Sequence, residues 1–582
     1  MKIIVAKSAG FCMGVRRAVN QVLSAVEAGE APLWTLGSLI HNPQVVELLC
    51  ARGVVPAKSV EQIDKGMVVI PTHGVSPKIR AELELKGLKI LDATCPRVAR
   101  VHRIVEQYAN QGYLILVLGD LGHSEVKGIL GFAGENTIVL QSPKQVLSLP
   151  SANQVLLVAQ TTQSGSRFEE LSKAVQERYA HLSLDQLKII NTLCDSTEQR
   201  QKEVRALAPR VSAFVIVGGK ESANTRRLKE VAEAEGKLAY LVETEKELES
   251  ERLKEVSSVG LTAGASSPNW LIRRVYEELR KMSLEQMSFA SRILFKLVRG
   301  GAILNFYLGL GGALLCAVSG MALQGSINFF ASFSAFLYLS SIHNFNLLAN
   351  PGILNLIEPA RGGFFLRYRR PLLYLSLLGM GLGGLFSFLV SIWAFIFYLG
   401  LCGLSLVYQV RFRKSVSPKF FDISRLADIP GSKDLFSALA WAIVIVLIPL
   451  SGRAGMHFEP RVWILFSLIF LLVLARSILQ DFRDIQADRM LGKETLPILF
   501  GVRVSRGLIH FIIFIAGLVL LFSYSQGDLG KAVLGILIGL VWLWIWAWFF
   551  TQRSVIQGLR AELIIDANFI IAGLAGVILG RF

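Results

Sequence analysis

Hydrophobic and polar positions follow different rhythms in the two halves of this 582-residue chain. Up to about Met282, short apolar runs of β type alternate with segments whose apolar residues recur at helical spacing behind charged faces, as in a soluble α/β protein. The runs predict strands near Ile3–Ala6, Val68–Pro71, Lys89–Ala93, Tyr113–Leu118, Val155–Val158, Lys188–Asn191, Ala213–Val217 and Ser258–Leu261. Helices are expected between them, for example over Val98–Asn110, Arg167–Tyr179 and Asn269–Lys281. Repeated strand–helix units of this kind place functional groups at the strand C-termini. From about Ala302 onward, apolar stretches long enough to cross ~30 Å of hydrocarbon take over. Their approximate centres are Ala313, Phe336, Gly379, Leu399, Ile443, Phe470, Gly517, Val541 and Ala572, which predicts an all-α membrane domain of about nine spans. The expected organisation is a soluble domain over 1–282, an amphipathic linker over 283–299 and a membrane domain over 300–582.

Charge and cysteine content refine this picture. The opening MKIIVAKSAGFCMGV has only a short apolar run before Lys7, unlike a secretory signal, so the soluble half is expected in the cytoplasm. A formal net charge of +17 invites nucleic acid as a partner. Much of it, however, lies in loops between spans. Arg367, Arg369 and Arg370 follow the second span; Arg411, Arg413, Lys414 and Lys419 the fourth; Arg483, Arg489, Lys493, Arg503 and Arg506 the sixth; Arg553 and Arg560 the eighth. The positive-inside rule accounts for these and makes the even-numbered loops cytoplasmic, with no nucleic-acid role. The expectation is a multi-pass protein of the inner (cytoplasmic) membrane, in contact with the lipid bilayer. The six cysteines are not spaced as a disulfide framework, which points to metal, redox or core roles.

Three cysteines share one local design. IIVAKSAGFCMGVRRAV around Cys12, LDATCPRVARV around Cys95 and LKIINTLCDSTEQRQKEV around Cys194 each run from an apolar strand through a short turn into an amphipathic helix. A thiol at a helix N-terminus sits in a field that favours thiolate and bound anions. Three such units predict three similar lobes meeting at one centre; the alternative is three unrelated core cysteines. Other turns carry His41 in LGSLIHNP, His73 in PTHGVSP, His123 and Glu125 in GDLGHSEVKG, Thr161 in VAQTTQS, Ser222 and Asn224 in GGKESANTRRL, and Ser266 in TAGASSP. Histidines, hydroxyl and amide donors and helix N-termini together describe an anion pocket, most simply for a diphosphate.

These segments, in order and spacing, resemble the 4-hydroxy-3-methylbut-2-enyl diphosphate reductases (the LytB or IspH family) over residues 1–282. The resemblance implies a 4Fe–4S cluster held by Cys12, Cys95 and Cys194 at the centre of the three lobes, with one iron left for substrate. Cys50, in the helical run VVELLCARG, is then a core residue. The implied reaction removes an allylic hydroxyl as water, with two electrons and two protons, giving isopentenyl and dimethylallyl diphosphates. The electrons come from a donor such as ferredoxin or flavodoxin. His41, His73, His123, Ser222, Asn224 and Ser266 hold the diphosphate by the same resemblance, Thr161 orders the substrate hydroxyl and Glu125 supplies protons. Ala223 stands where many relatives have a second serine.

In the membrane half, SILQDFRDIQADRMLGKETLP places Asp481, Asp484 and Asp488 on one face of a helix leaving the bilayer. Carboxylates at such a depth are costly and usually functional, and three on one face suit Mg²⁺ carrying a diphosphate. Arg483, Arg489 and Lys493 are candidate phosphate ligands. With about nine spans, this half resembles the UbiA superfamily of intramembrane prenyltransferases, whose two Asp-rich motifs follow the second and sixth spans. The second motif is intact. In SIHNFNLLANPGILNLIEPARGGFF the first is not: aligned at Asn346, the two expected aspartates are Asn350 and Leu354. The chain then reads either as a reductase joined to a prenyltransferase, or as a reductase carried on a weak or inactive prenyltransferase-like anchor or lipid-binding module. An Fe–S hydro-lyase acting on another acid is a third alternative, disfavoured by the complete diphosphate pocket.

Overall fold

The computed structural model describes residues 1–253, 256–285, 288–349, 354, 358–409, 431–452, 459–490, 495–552 and 559–581. Asn350, Arg411, Arg413, Lys414, Lys419, Lys493 and Arg553 lie outside the described residues, and Arg483 and Asp484 are described by backbone only. The chain forms two units, Met1–Gln286 and Met287–Phe582.

The first unit contains twelve strands in three four-stranded parallel sheets. They are β1 (Lys2–Val5), β2 (Leu33–Leu36), β3 (Val54–Ala57), β4 (Met67–Ile70), β5 (Lys89–Asp92), β6 (Leu114–Leu118), β7 (Thr137–Leu140), β8 (Val155–Ala159), β9 (Leu187–Ile189), β10 (Ala213–Val217), β11 (Leu238–Val242) and β12 (Ser258–Ala263). The sheet orders are β3-β2-β4-β5, β7-β6-β8-β9 and β11-β10-β12-β1. All three follow one scheme, second–first–third–fourth, with the N-terminal strand closing the third sheet as its fourth member. Burial on both faces explains the continuous apolar runs. In β6, Leu114, Leu116 and Leu118 pack into one apolar cluster, whereas Ile115 and Val117 pack into the cluster on the opposite face.

This shared order has a consequence for chemistry. In an open parallel sheet the loops leaving the first and third strands part at the switch in strand order and leave a crevice at the carboxyl ends. Those loops carry His41 and His73, His123 and Thr161, and Ser222 and Ser266 respectively, while each fourth strand leads to one cysteine. The second strand of each lobe leads to a short 3₁₀ turn, at Val60–Gln62, Pro143–Ser148 and Glu245–Glu247, followed in the third lobe by the short helix Ser250–Leu253.

In the second unit, seven helices among the described residues are long and apolar enough to cross a membrane, rather than the nine expected. The other two centres fall on helices Phe329–Ala349 and Ile392–Gln409. The first is interrupted by Ser340, Ser341, His343, Asn344 and Asn346; the second is short. Small residues allow close helix approach here. A Cβ added at Gly535 would lie 2.2 Å from the carbonyl of Ala572 and 2.5 Å from the Cα of Gly576. Residues 283–285 belong to the helix Asn269–Glu285 of the first unit, and helix Phe289–Ile303 opens the second.

Candidate active site

Cys12, Cys95 and Cys194 are the N-cap residues of helices Met13–Glu27, Pro96–Ala109 and Asp195–Leu207. Each is held in the same way. Its backbone N–H donates to a carbonyl in the loop after its own lobe's third strand: Cys12 to Ala265 (3.1 Å), Cys95 to Thr72 (2.9 Å) and Cys194 to Thr161 (2.9 Å). The Cys95 thiol lies within electrostatic reach of both Cys12 and Cys194; burial pushes it up, opposed by the backbone N–H groups of Arg97 and Val98. A Cβ at Gly14 would stand 2.6 Å from the Cys95 Sγ and 3.9 Å from the Cys12 Sγ, so this glycine keeps a hollow open between two sulfurs. Among the described residues no three His, Cys, Asp or Glu side chains are grouped to hold a single metal ion. Three convergent thiols beside a glycine-lined hollow fit an iron–sulfur cluster by donor chemistry.

The histidines form a second layer. The rings of His41 and His73 lie 5.7 Å apart and those of His41 and His123 5.6 Å apart. Ser124 Oγ lies 3.4 Å from His41 Nε2, and Ser266 Oγ donates to the His41 carbonyl at 3.1 Å. Burial lowers all three imidazoles, His73 to about 3 and His123 to about 4, which favours neutral rings in the pocket. His73 Nδ1 and both amide atoms of Asn224 are buried without a hydrogen-bond partner. Buried polar atoms left unmatched are costly, and a polar ligand with several oxygens would match them. Ser222 caps the helix Ala223–Ala234, its Oγ accepting from the Thr225 N–H at 3.4 Å. Glu125 is buried, and its carboxylate oxygens accept the Thr161 N–H at 2.7 Å and the Thr161 hydroxyl at 3.1 Å. Burial raises its pKa to about 6 despite these bonds, leaving a carboxyl able to carry a proton near neutrality.

Several supporting residues escaped the sequence. Arg200 donates to the Gly10 carbonyl at 2.7 Å, and Glu203 accepts the N–H groups of Lys7 and Ser8 at 2.5 and 2.8 Å. Both lie on the helix capped by Cys194 and fix the loop that carries Cys12. Arg227 crosses from the third lobe to Gln163 (3.0 Å) and Asp120 (3.4 Å) of the second. The only signal available was charge on otherwise buried helix faces. Cys50 is exposed rather than in the core: its helix, Pro43–Ala51, buries Val45 and Leu49, and the next position turns outward.

In the membrane unit, Asp481 and Asp488 are buried on helix Pro460–Met490, with Asp484 on the same helix between them. Asp481 Oδ1 accepts from Lys433 Nζ at 2.9 Å while its Oδ2 is buried without a partner. Next to Lys433, the buried Asp434 accepts from Ser477 Oγ at 2.5 Å. Asn346, on helix Phe329–Ala349, has a buried, unpartnered Oδ1. Arg489 lies in the last turn of the Asp481 helix. Two ion pairs were not anticipated: Arg361 grips Glu562 with both terminal nitrogens (3.0 Å each), and Arg476 Nε donates to Asp566 at 2.7 Å.

Comparison with known proteins bears on both halves. The family model described as LytB protein matches residues 3–280, and that of the UbiA prenyltransferase family matches residues 369–561. A 4-hydroxy-3-methylbut-2-enyl diphosphate reductase of Geobacter sulfurreducens is 40% identical over 281 residues, 48% of this chain and 98% of that protein. A solved structure of (E)-4-hydroxy-3-methyl-but-2-enyl diphosphate reductase, the terminal enzyme of the non-mevalonate pathway, is 38% identical, covering 48% of this chain and 99% of its own at a TM-score of 0.38. The apo structure of a UbiA homolog from Aeropyrum pernix K1 is 14% identical, covering 49% of this chain and 98% of its own at a TM-score of 0.36. The chain belongs through its first half to the LytB family of 4-hydroxy-3-methylbut-2-enyl diphosphate reductases, and residues 369–561 of its second half match the model of the UbiA prenyltransferase family.

Proposed function

We propose that the first unit reductively dehydroxylates 4-hydroxy-3-methylbut-2-enyl diphosphate. The carbon–oxygen bond of the allylic alcohol breaks, two electrons and two protons enter, and water leaves with isopentenyl or dimethylallyl diphosphate. The observation that carries this is the meeting of three thiols with an anion pocket whose buried polar atoms lack partners. Cys12, Cys95 and Cys194 would hold a 4Fe–4S cluster, which supplies electrons and a Lewis-acidic iron for the hydroxyl. His41, His73, His123, Ser222, Asn224 and Ser266 bind the diphosphate oxygens and orient the allyl group. Thr161 orders the substrate hydroxyl, and Glu125, bonded to it, delivers protons. Anaerobic assay of the full-length protein with reduced methyl viologen and this diphosphate tests the reading: both isomeric products are expected, and unchanged substrate overturns it.

For the second unit we propose a bundle of nine helices in the cytoplasmic membrane, with the reductase on the cytoplasmic side. It binds one Mg²⁺–diphosphate through Asp481, Asp484 and Asp488, with Arg483, Arg489 and Lys493 at the phosphates, and transfers its prenyl group slowly to an acceptor. Two features support weak transfer: neutral Asn346 and Asn350 stand in the first motif, and the Lys433 ammonium already sits against Asp481. Labelled prenyl diphosphates incubated with extracted lipids test it, and fast transfer would contradict it.

A further inference from the structure

A groove on the first unit lies outside the anion pocket. It has a volume of about 670 Å³ and runs along the outer face of helix Met13–Glu27, against Met67 and Leu91 of β4 and β5. Its floor is largely apolar and its rim carries the exposed Arg16 and Arg17. The one acidic residue lining it, Glu30, is paired with Lys89, which leaves the rim positive. None of the histidines, nor Glu125, Thr161 or Asn224, lines it.

Its position relative to the thiols gives it a use. Met13, 77% exposed at the head of the groove, is the residue after Cys12. Arg17 Nη1 donates to the carbonyl of Thr94 at 3.4 Å, the residue before Cys95. Between them lies Gly14, whose missing side chain faces both sulfurs. The groove therefore meets the backbone of two thiol-bearing residues from outside, while the diphosphate donors belong to other loops. Electrons must reach the site from a donor, because the reaction consumes two of them.

We propose that this groove docks a small acidic protein that carries one electron at a time, an assignment that rests on the reductase function above. Two encounters deliver two electrons, oxidising two equivalents of carrier. With two protons they convert the allylic alcohol to the alkene and water. Redox encounters of this kind use small interfaces, steered by opposite charge and weakened by salt. An apolar floor under an arginine rim fits an acidic carrier with an exposed apolar edge over its redox centre.

The test uses the full chain in nanodiscs and an acidic flavodoxin as the probe. Binding of oxidised flavodoxin to cluster-free protein is measured by surface plasmon resonance at low and high salt. Arg16→Glu should weaken it at least tenfold and flatten its salt dependence. Asn20→Asp, one turn along the groove, should act in the same direction without facing either sulfur. In loaded protein both variants should keep viologen-driven turnover and lose flavodoxin-driven turnover. Unchanged flavodoxin affinity in both variants overturns the docking site, as does self-association of the wild type that Arg16→Glu abolishes. Absence of viologen-driven turnover in the wild type would instead overturn the reductase function, and the binding result would still decide the groove.

Discussion

Thr161 donates both its backbone N–H and its hydroxyl to the carboxylate of Glu125, at 2.7 and 3.1 Å. The carbonyl of the same threonine accepts the N–H of Cys194 at 2.9 Å. One residue thus fixes the distance between a buried acid and a candidate cluster ligand. If Glu125 is the proton donor, its protonated form must be populated. With a pKa raised to about 6 by burial, that form dominates below about pH 6. kcat/KM should be level there and fall tenfold per pH unit above it, because this parameter follows the free enzyme. Glu125→Gln should lower turnover roughly 10²-fold or more and erase that limb while leaving iron content unchanged. A full-strength Glu125→Gln enzyme under saturating reductant would remove the carboxyl from the mechanism.

Cluster assembly should separate the six cysteines into two groups. Ser at Cys12, Cys95 or Cys194 should each reduce iron content and visible absorbance. Ser at Cys50, Cys316 or Cys402 should not, since none of these caps a helix at a lobe centre.

Gly14→Ala probes the hollow without touching a ligand. The added methyl would sit 2.6 Å from the Cys95 Sγ, closer than carbon and sulfur pack, so either the helix shifts or the cluster is lost. Lower iron per chain at unchanged far-UV circular dichroism is expected; full iron loading would show that the sulfurs converge elsewhere.

With the histidines proposed as its ligands, diphosphate binding should be proton-linked. His41, His73 and His123 are lowered by burial, and a diphosphate beside them would raise them again. The complex then holds more protons than the free protein, so affinity should rise as pH falls from 8 towards 6. Calorimetry at pH 7 in buffers of different ionisation heat should show proton uptake, reduced in His73→Gln.

Much of the site was legible because its chemistry sits in turns flanked by strong signals: an apolar strand before, a capped or Pro-initiated helix after. What the sequence pattern missed was β2, β3, β7 and β11. LWTL, VVPA, TIVL and LAYLV are short; the last three form sheet edges, and β3 even carries Pro56, tolerated there because an edge strand has free N–H positions. Without them the common strand order is invisible. So is the return of β1 to pair with β12, a contact across most of the unit that local periodicity cannot encode. In the membrane unit the signal was present and unread: Arg361, Asp434, Arg476, Glu562 and Asp566 are charges within or beside apolar helices, and such groups usually have partners. Their partners lie on other helices, so the pairing emerges only from packing.

The contact between Lys433 and Asp481 bears directly on the Mg²⁺ site proposed for the membrane unit. Asp481 is buried and offers one oxygen to the Lys433 ammonium, while the other has no partner. Mg²⁺ needs charged oxygen ligands in near-octahedral geometry and keeps several waters, so an ammonium against one carboxylate weakens its hold. Prenyl transfer also needs the leaving diphosphate neutralised, work that two metal clusters share when both motifs are complete. Here Asn346 and Asn350 offer only neutral oxygens and Leu354 none. Lys433→Met should therefore raise Mg²⁺ affinity, and Asn350→Asp with Leu354→Asp should raise both Mg²⁺ affinity and any transferase rate. Asp484→Asn should abolish Mg²⁺-dependent diphosphate binding. Titration of the full-length protein in nanodiscs with Mg²⁺ and a labelled geranyl diphosphate measures all three. Rapid wild-type transfer together with normal binding by Asp484→Asn would place the metal site away from this helix.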